Sequence, residues 1–201
     1  VKIICVGRNY RNHIQELKHE TPTEPVLFIK PDTAVLKGSD FYIPEFSNNI
    51  HYELELVIRI SKGGKYIQAE NAKKHYEQMG LGIDFTARDL QETLKEKGLP
   101  WEKAKGFDGS AVVSDFIPTE SFNMDEIHFE LIKNQKSVQK GNSKDMLFSI
   151  DQLISYISRY FTLRVGDLIF TGTPAGVGQV KENDFLEAYM ENKKLFSLKI
   201  H

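Results

Sequence analysis

The sequence predicts a strand-rich α+β fold, and three observations point to it. Short apolar runs that end at Gly, Pro or polar clusters recur along the chain. Only a few stretches carry apolar residues at helical spacing. No internal repeat, low-complexity tract or linker divides the 201 residues. That length suits one substantial core, so residues 1–201 are expected to form a single domain.

The opening KIICVG reads as a buried strand that delivers RNYRNHIQELKHE into a helix, with Ile14 and Leu17 on one face. HETPTEP, with two prolines and two threonines, is an irregular loop before the strand VLFIK, and Pro31 opens another loop. Residues 51–60, HYELELVIRI, alternate polar and apolar and then turn continuously apolar, the pattern of a strand that runs from an open site into a core. SKGGK is a turn. AENAKKHYEQMG reads as a helix with a terminal Gly, and LGIDFTARDLQETLKEKG as a short strand followed by a helix that Gly98 stops. Strands follow at AVVSDF and IHFELIKNQ. In SIDQLISYISRYF, Leu153, Ile154, Ile157 and Phe161 recur at helical spacing and form a core stripe. GDLIFTGTPAGVG gives a strand and a glycine-rich turn, and DFLEAYMENKKLFSLKI a β-hairpin with ENKK at its tip.

Composition removes several classes of function. A net charge of -2 provides no general attraction to nucleic acid or an anionic membrane. Local basic stretches alternate with acids and read as solvated faces. The single Cys5 leaves no intrachain disulfide and no CxxC motif, and its place inside IICVG makes it a buried strand thiol. No apolar segment approaches the roughly 20 residues that cross a bilayer, and VKIICVGRNYRNH turns polar too soon for a signal peptide. A cytoplasmic protein with no nucleic-acid or membrane partner is expected.

In a strand, side chains two apart share a side, so Glu53 and Glu55 project together with His51, while Tyr52, Leu54 and Leu56 face the other way. Two adjacent carboxylates repel unless a cation or a basic residue sits between them. A solvated strand face is the competing explanation. Asp84, at the junction of an apolar run and a helix, either caps that helix or turns toward the glutamates. With Asp84 included, three carboxylates make an all-oxygen site for a hard cation such as Mg²⁺ or Mn²⁺, with Ca²⁺ as a substitute.

The blocks GRNYRNHIQE, FIKP, HYELELV, GIDFTARDLQ, GLPWEKAKGFDGS and TGTPAGVG, in this order and at these intervals, resemble the fumarylacetoacetate hydrolase superfamily. They are most similar to its small branch of acylpyruvate hydrolases and oxaloacetate decarboxylases. The resemblance implies a mixed β-roll with peripheral helices, a homodimer, and Mg²⁺ or Mn²⁺ on Glu53, Glu55 and Asp84. It implies a catalytic pair, His13 and Glu16, on an N-terminal lid at about residues 9–24, with Lys105 as the active-site lysine. Residues three apart on a helix are neighbours, so Glu16 can orient His13 and stabilise its imidazolium. Arg8, Lys30, Arg88, Gln91 and Thr173 are the expected contacts to a small 2-oxo acid. Arg88 and Gln91 fall one turn apart, and Arg88 suits carboxylate recognition.

The activity so implied is metal-dependent hydrolysis of a carbon–carbon bond in acylpyruvates, with oxaloacetate decarboxylation as a second use of the site. Isomerisation or decarboxylation of dienoic diacids, and metal-dependent binding without turnover, are the alternatives. His13 with Glu16 would activate water, and cleavage would leave a pyruvate enolate.

Overall fold

The apolar runs of this chain are too short for stable helices and are punctuated by turn formers, so backbone polar groups find their partners in sheets. The computed structural model describes residues 1–16 and 21–201. In chain order the elements are β1 (Ile3–Val6), α1 (Arg11–Glu16), β2 (Leu27–Lys30), β3 (Asp40–Phe41), β4 (Ile50–Tyr52), β5 (Leu54–Ile60), β6 (Tyr76–Asp84) and β7 (Thr86–Ala87). Next come α2 (Arg88–Glu96), α3 (Glu102–Lys105), β8 (Ala111–Val113), β9 (Ile117–Pro118), β10 (His128–Lys133), β11 (Lys136–Asn142) and α4 (Ile150–Tyr160). The chain closes with β12 (Leu168–Phe170), β13 (Gly178–Gln179), β14 (Phe185–Met190) and β15 (Lys193–Ile200). Strands and a few helices mix as the α+β expectation required. The shared face of Ile14 and Leu17, and residues 17–20 of the segment expected as a lid at 9–24, fall outside what is described.

The main sheet runs β2-β1-β12-β5-β6-β8, with β9 also on β6. It is mixed, because β1 and β12 are parallel while the other pairs are antiparallel. A second sheet runs β11-β10-β14-β15-β3 and a small third one β13-β4-β7. The main sheet is apolar on both faces, which is why its strands read as continuous apolar runs. Ile4, Val6, Leu54, Leu56 and Ile58 join the large core, where β10 meets β5 and β14 meets β6. Ile3, Cys5, Val57, Leu168 and Phe170 point to a smaller cluster on the opposite face. Cys5 is the fully buried strand thiol that was expected.

Two segments depart from the sequence reading. AENAKKHYEQMG is a 3-10 helix over Ala69–His75 that buries only Ala72, followed by the long strand β6. Gly80 is therefore no helix terminus. It lies in β6, where a Cβ would come within 2.5 Å of Ser114 Oγ. IHFELIKNQ is the first half of a hairpin whose turn residues Asn134 and Gln135 both have positive φ, at 50° and 66°, with β11 as the return strand. The C-terminal hairpin forms as read, with Glu191 and Asn192 in the same left-handed conformation at its tip.

Candidate metal centre and active site

The register between β5 and β6 builds the centre. Leu54 faces Ile83, Glu55 faces Gly82, and one step earlier the Asp84 amide donates to the Glu53 carbonyl oxygen at 2.9 Å. Glu53 and Asp84 are thus neighbours across two strands, and Glu55 lies two residues along on the same side. Glu53 stands in the one-residue break between β4 and β5, where the chain passes from the third sheet into the main one. Side chains from β11 and from the loop after β12 hold the strand just past that break. Gln139 Oε1 accepts from the Leu54 amide at 2.9 Å, and the Thr173 hydroxyl donates to the Leu54 carbonyl oxygen at 2.9 Å.

The three carboxylates are buried, and one oxygen of each lies within 4.8 Å of the others. This departs from a solvated strand face. Asp84 Oδ1 is buried without a hydrogen-bond partner, although Lys30 Nζ lies 2.8 Å away. The Lys30 ammonium instead donates to the carbonyl oxygens of Lys105, Phe85 and Ser110 and to the Ser110 hydroxyl. Burial, then the negative charges of Asp84 and Glu53, push the Glu55 carboxyl well above the usual carboxylate range, against the Gly172 amide that donates to it at 2.7 Å. A buried trio with an orphaned oxygen and a strained glutamate fits a divalent cation with all-oxygen ligands. His51 stands apart, with Nε2 2.9 Å from Asn49 Oδ1; burial pushes its imidazolium down to about 4.

Cations surround the trio. Lys105 Nζ donates to Glu53 Oε2 at 2.8 Å, Asp84 Oδ2 at 2.7 Å and Thr86 Oγ1 at 2.6 Å. Burial lowers this ammonium's pKa, but Asp84 and Glu53 raise it by more, so Lys105 stays charged. Arg88 donates to Glu53 through Nη2 and to Gln91 Oε1 through Nη1 at 2.7 Å, which leaves its buried Nε without a partner. Burial pushes the Glu53 carboxyl up, yet Lys105 and Arg88 together hold it well below the usual range.

His13 reaches the same place from α1. Its imidazole is buried and shares with Glu53, Arg88, Gln91 and Lys105 a cavity of about 20 Å³, which is room for one water. His13 Nδ1 lies 3.2 Å from Glu16 Oε2, and the Gly176 amide donates to Glu16 at 3.1 Å. Burial pushes the His13 imidazolium down, with Glu53 and Glu16 opposing, so the ring is neutral near pH 7. A neutral ring with one nitrogen oriented by a carboxylate is equipped to accept a proton on the other.

Of the residues expected from sequence, His13, Glu53, Arg88, Gln91, Lys105 and Arg8 line this cavity, and Glu55 and Asp84 lie behind Glu53. Lys30 is fully buried beneath Asp84, not facing the cavity. The Thr173 hydroxyl is engaged on both sides, since it also accepts from Gln139 Nε2 at 2.9 Å. Sequence reasoning missed Asn9, Gln139, Lys95 and Trp101. Asn9 is fully buried, donates to the carbonyl oxygens of Thr171 and Phe148 at 2.8 and 3.0 Å, and accepts from the Phe148 amide at 2.8 Å. It ties α1 to the glycine-rich loop. A buried Asn flanking a strand end is the only local signal it offers.

Comparison with known proteins extends this geometry. The model of the fumarylacetoacetate (FAA) hydrolase C-terminal family matches residues 2–198. The mitochondrial oxaloacetate tautomerase FAHD1 of Mus musculus is 45% identical over 188 residues, covering 92% of this chain and 85% of the relative. The mitochondrial oxaloacetate decarboxylase of Dictyostelium discoideum is 41% identical over 189 residues, covering 92% and 87%. A crystal structure of a family member from Yersinia pestis superimposes with a TM-score of 0.95 at 40% identity, covering 100% of this chain and 93% of that one. The fumarylpyruvate hydrolase of Pseudomonas aeruginosa, crystallised with Mn²⁺ and pyruvate, gives a TM-score of 0.94 at 35% identity, covering 100% and 89%. With its match running almost end to end, this chain belongs to the fumarylacetoacetate hydrolase family.

Proposed function

We propose that this protein is a Mg²⁺- or Mn²⁺-dependent enzyme that interconverts the keto and enol forms of a small 2-oxo acid of the oxaloacetate class. The observation that carries the proposal is the meeting, at one cavity, of Glu53 from a buried carboxylate trio with a neutral, carboxylate-oriented histidine. The names of the relatives in mouse and Dictyostelium support oxaloacetate as the substrate class. The Mn²⁺ and pyruvate held by the Pseudomonas aeruginosa protein support the metal and the 2-oxo acid head group.

Glu53, Glu55 and Asp84 would hold the cation, which would supply Lewis-acid polarisation of the 2-keto group. His13 takes a proton from the carbon next to that group, and Glu16 fixes the ring and steadies the imidazolium. Lys105, kept charged by Glu53 and Asp84, lines the cavity and places its positive charge beside the oxygen on which negative charge develops. Passage of a proton to the enolate oxygen, from the His13 imidazolium or from water, forms the O–H bond of the enol. The reverse sequence, loss of the O–H proton and return of a proton from His13 to carbon, regenerates the keto form. The buried walls of the cavity keep bulk water from quenching the anion.

Cleavage of acylpyruvates is the second reading, favoured by the pyruvate in the Pseudomonas aeruginosa structure. There His13 activates water at the distal carbonyl, the carbon–carbon bond breaks, the acyl part leaves as a carboxylic acid, and the three-carbon pyruvate enolate takes a proton at carbon to become pyruvate. Loss of CO₂ from oxaloacetate gives that enolate without water.

The deciding experiment follows oxaloacetate enol absorbance, and pyruvate release from acetylpyruvate, with and without Mn²⁺. Metal-stimulated loss of enol absorbance is expected, abolished in Glu53→Gln and Asp84→Asn. Full metal-dependent activity in both amide variants would overturn the assignment of the ligands, and pyruvate release faster than tautomerisation would favour the second reading.

A further inference from the structure

The catalytic cavity carries more positive charge than the carboxylate trio and the His13 pair engage. Helix α2 presents Arg88, Gln91 and Lys95 at i, i+3 and i+7, on one face, and all three line the cavity together with Arg8 from the segment after β1. Arg88 and Lys105 are engaged with Glu53. Among the described residues, neither Arg8 nor Lys95 has a carboxylate within ion-pair distance. Glu53 is, among the described residues, the only acid in the cavity wall.

Lys95 also departs from an ordinary solvated lysine. Its ammonium lies 5.3 Å from the centroid of the Trp101 ring, and its side chain is half-buried. The Trp101 carbonyl oxygen accepts from the Lys105 amide at 3.0 Å, so the ring beneath Lys95 belongs to the same short turn that carries the active-site lysine. An aromatic face attracts the ammonium but leaves its charge uncompensated.

From this juxtaposition we infer that Lys95, with Arg8, forms a second carboxylate subsite that selects 2-oxo acids bearing a distal carboxylate over those with a neutral tail. The inference rests on the 2-oxo acid reading above and narrows its substrate class. Charge supports it: Glu53, Glu55 and Asp84 are matched by Lys30, Arg88 and Lys105, so Arg8 and Lys95 remain as two unmatched positive charges at the cavity, to which a distal carboxylate is complementary. Burial first, then the charges of Arg88 and Arg8, push the Lys95 ammonium down to about 8, the condition of a cation short of negative neighbours.

Oxaloacetate and 2-oxobutyrate have the same four-carbon 2-oxo acid chain, and differ in a terminal carboxylate against a methyl. Trp101 is the only tryptophan in the chain, so its fluorescence in a stopped-flow titration of the Mg²⁺-loaded protein reads binding of either acid before turnover. The wild-type protein is expected to bind oxaloacetate at least about 10-fold more tightly than 2-oxobutyrate. Lys95→Met should remove most of that preference, Arg8→Met part of it, and Lys95→Arg should retain it. An equal loss for both acids in Lys95→Met means that the residue only packs, and overturns the subsite. Equal affinity for both acids in the wild type also overturns it while the 2-oxo acid reading stands. Binding of neither acid removes that reading and the subsite together.

Discussion

His13 shows how burial sets the chemistry of one side chain. Removal of water disfavours the imidazolium, and Glu53 and Glu16 restore only part of that loss, so the ring is a free base at a pH where an exposed histidine is partly protonated. The acid limb of kcat/KM is therefore expected below pH 6.5, the ordinary value for the ring. Glu16 raises the His13 pKa, so Glu16→Gln should move that limb to still lower pH while kcat falls about 10- to 100-fold from lost orientation. A pH–rate profile of both proteins checks the sign, and a limb displaced to higher pH in the variant would contradict it. That His13 and Glu16 are neighbours was legible in the sequence from their three-residue spacing on a helix, whereas their place in a site was implied only by the family resemblance. Asn9, Gln139 and Lys95 were not, because each acts on residues that the fold brings from far along the chain or in a direction that spacing alone leaves open.

At the scale of elements, the centre depends on β5, β6 and the loop after β12. The alternation in HYELELV was enough to place Glu53 and Glu55 on one side, since the strand period is two. The partner strand was hidden. Ala, Lys and Glu in AENAKKH favour helix, but no apolar stripe follows, and pairing of Tyr76–Asp84 with β5 outweighs that local preference. Gly172 is the loop residue whose amide steadies Glu55; it has φ of 101°, and a Cβ there would lie 2.7 Å from Asn9 Cβ. Gly172→Ala should thus cost about 1 kcal/mol or more in urea denaturation, from the left-handed backbone alone. Displacing the amide from Glu55 should weaken Mn²⁺ binding about 10-fold or more. Unchanged Mn²⁺ affinity in a folded variant would separate this loop from the centre.

For the whole molecule, a cation at the trio links function to stability. The α+β class was legible because strand-length apolar runs prevail, whereas the two-faced burial of the main sheet and the packing of the second sheet on it emerge only from long-range pairing. Three carboxylates in the middle of that packing repel one another, and burial strengthens the repulsion. A bound cation relieves it, and a ligand that binds only the folded chain adds about 2.7 kcal/mol at 100 times its Kd. For a chain of this size each kcal/mol moves Tm by about 2–4 °C, so saturating Mn²⁺ should raise it by about 5–10 °C. Glu55→Gln keeps an oxygen for the Gly172 amide and removes one negative charge. Without metal, that variant should melt no lower than the wild type, and Mn²⁺ should shift it little. Differential scanning calorimetry of the two proteins with Mn²⁺ and with a chelator makes the comparison. A variant that gains as much from Mn²⁺ as the wild type would take Glu55 out of the ligand set. A variant that melts several degrees lower without metal would mean that the charge on Glu55 stabilises the fold rather than opposing it.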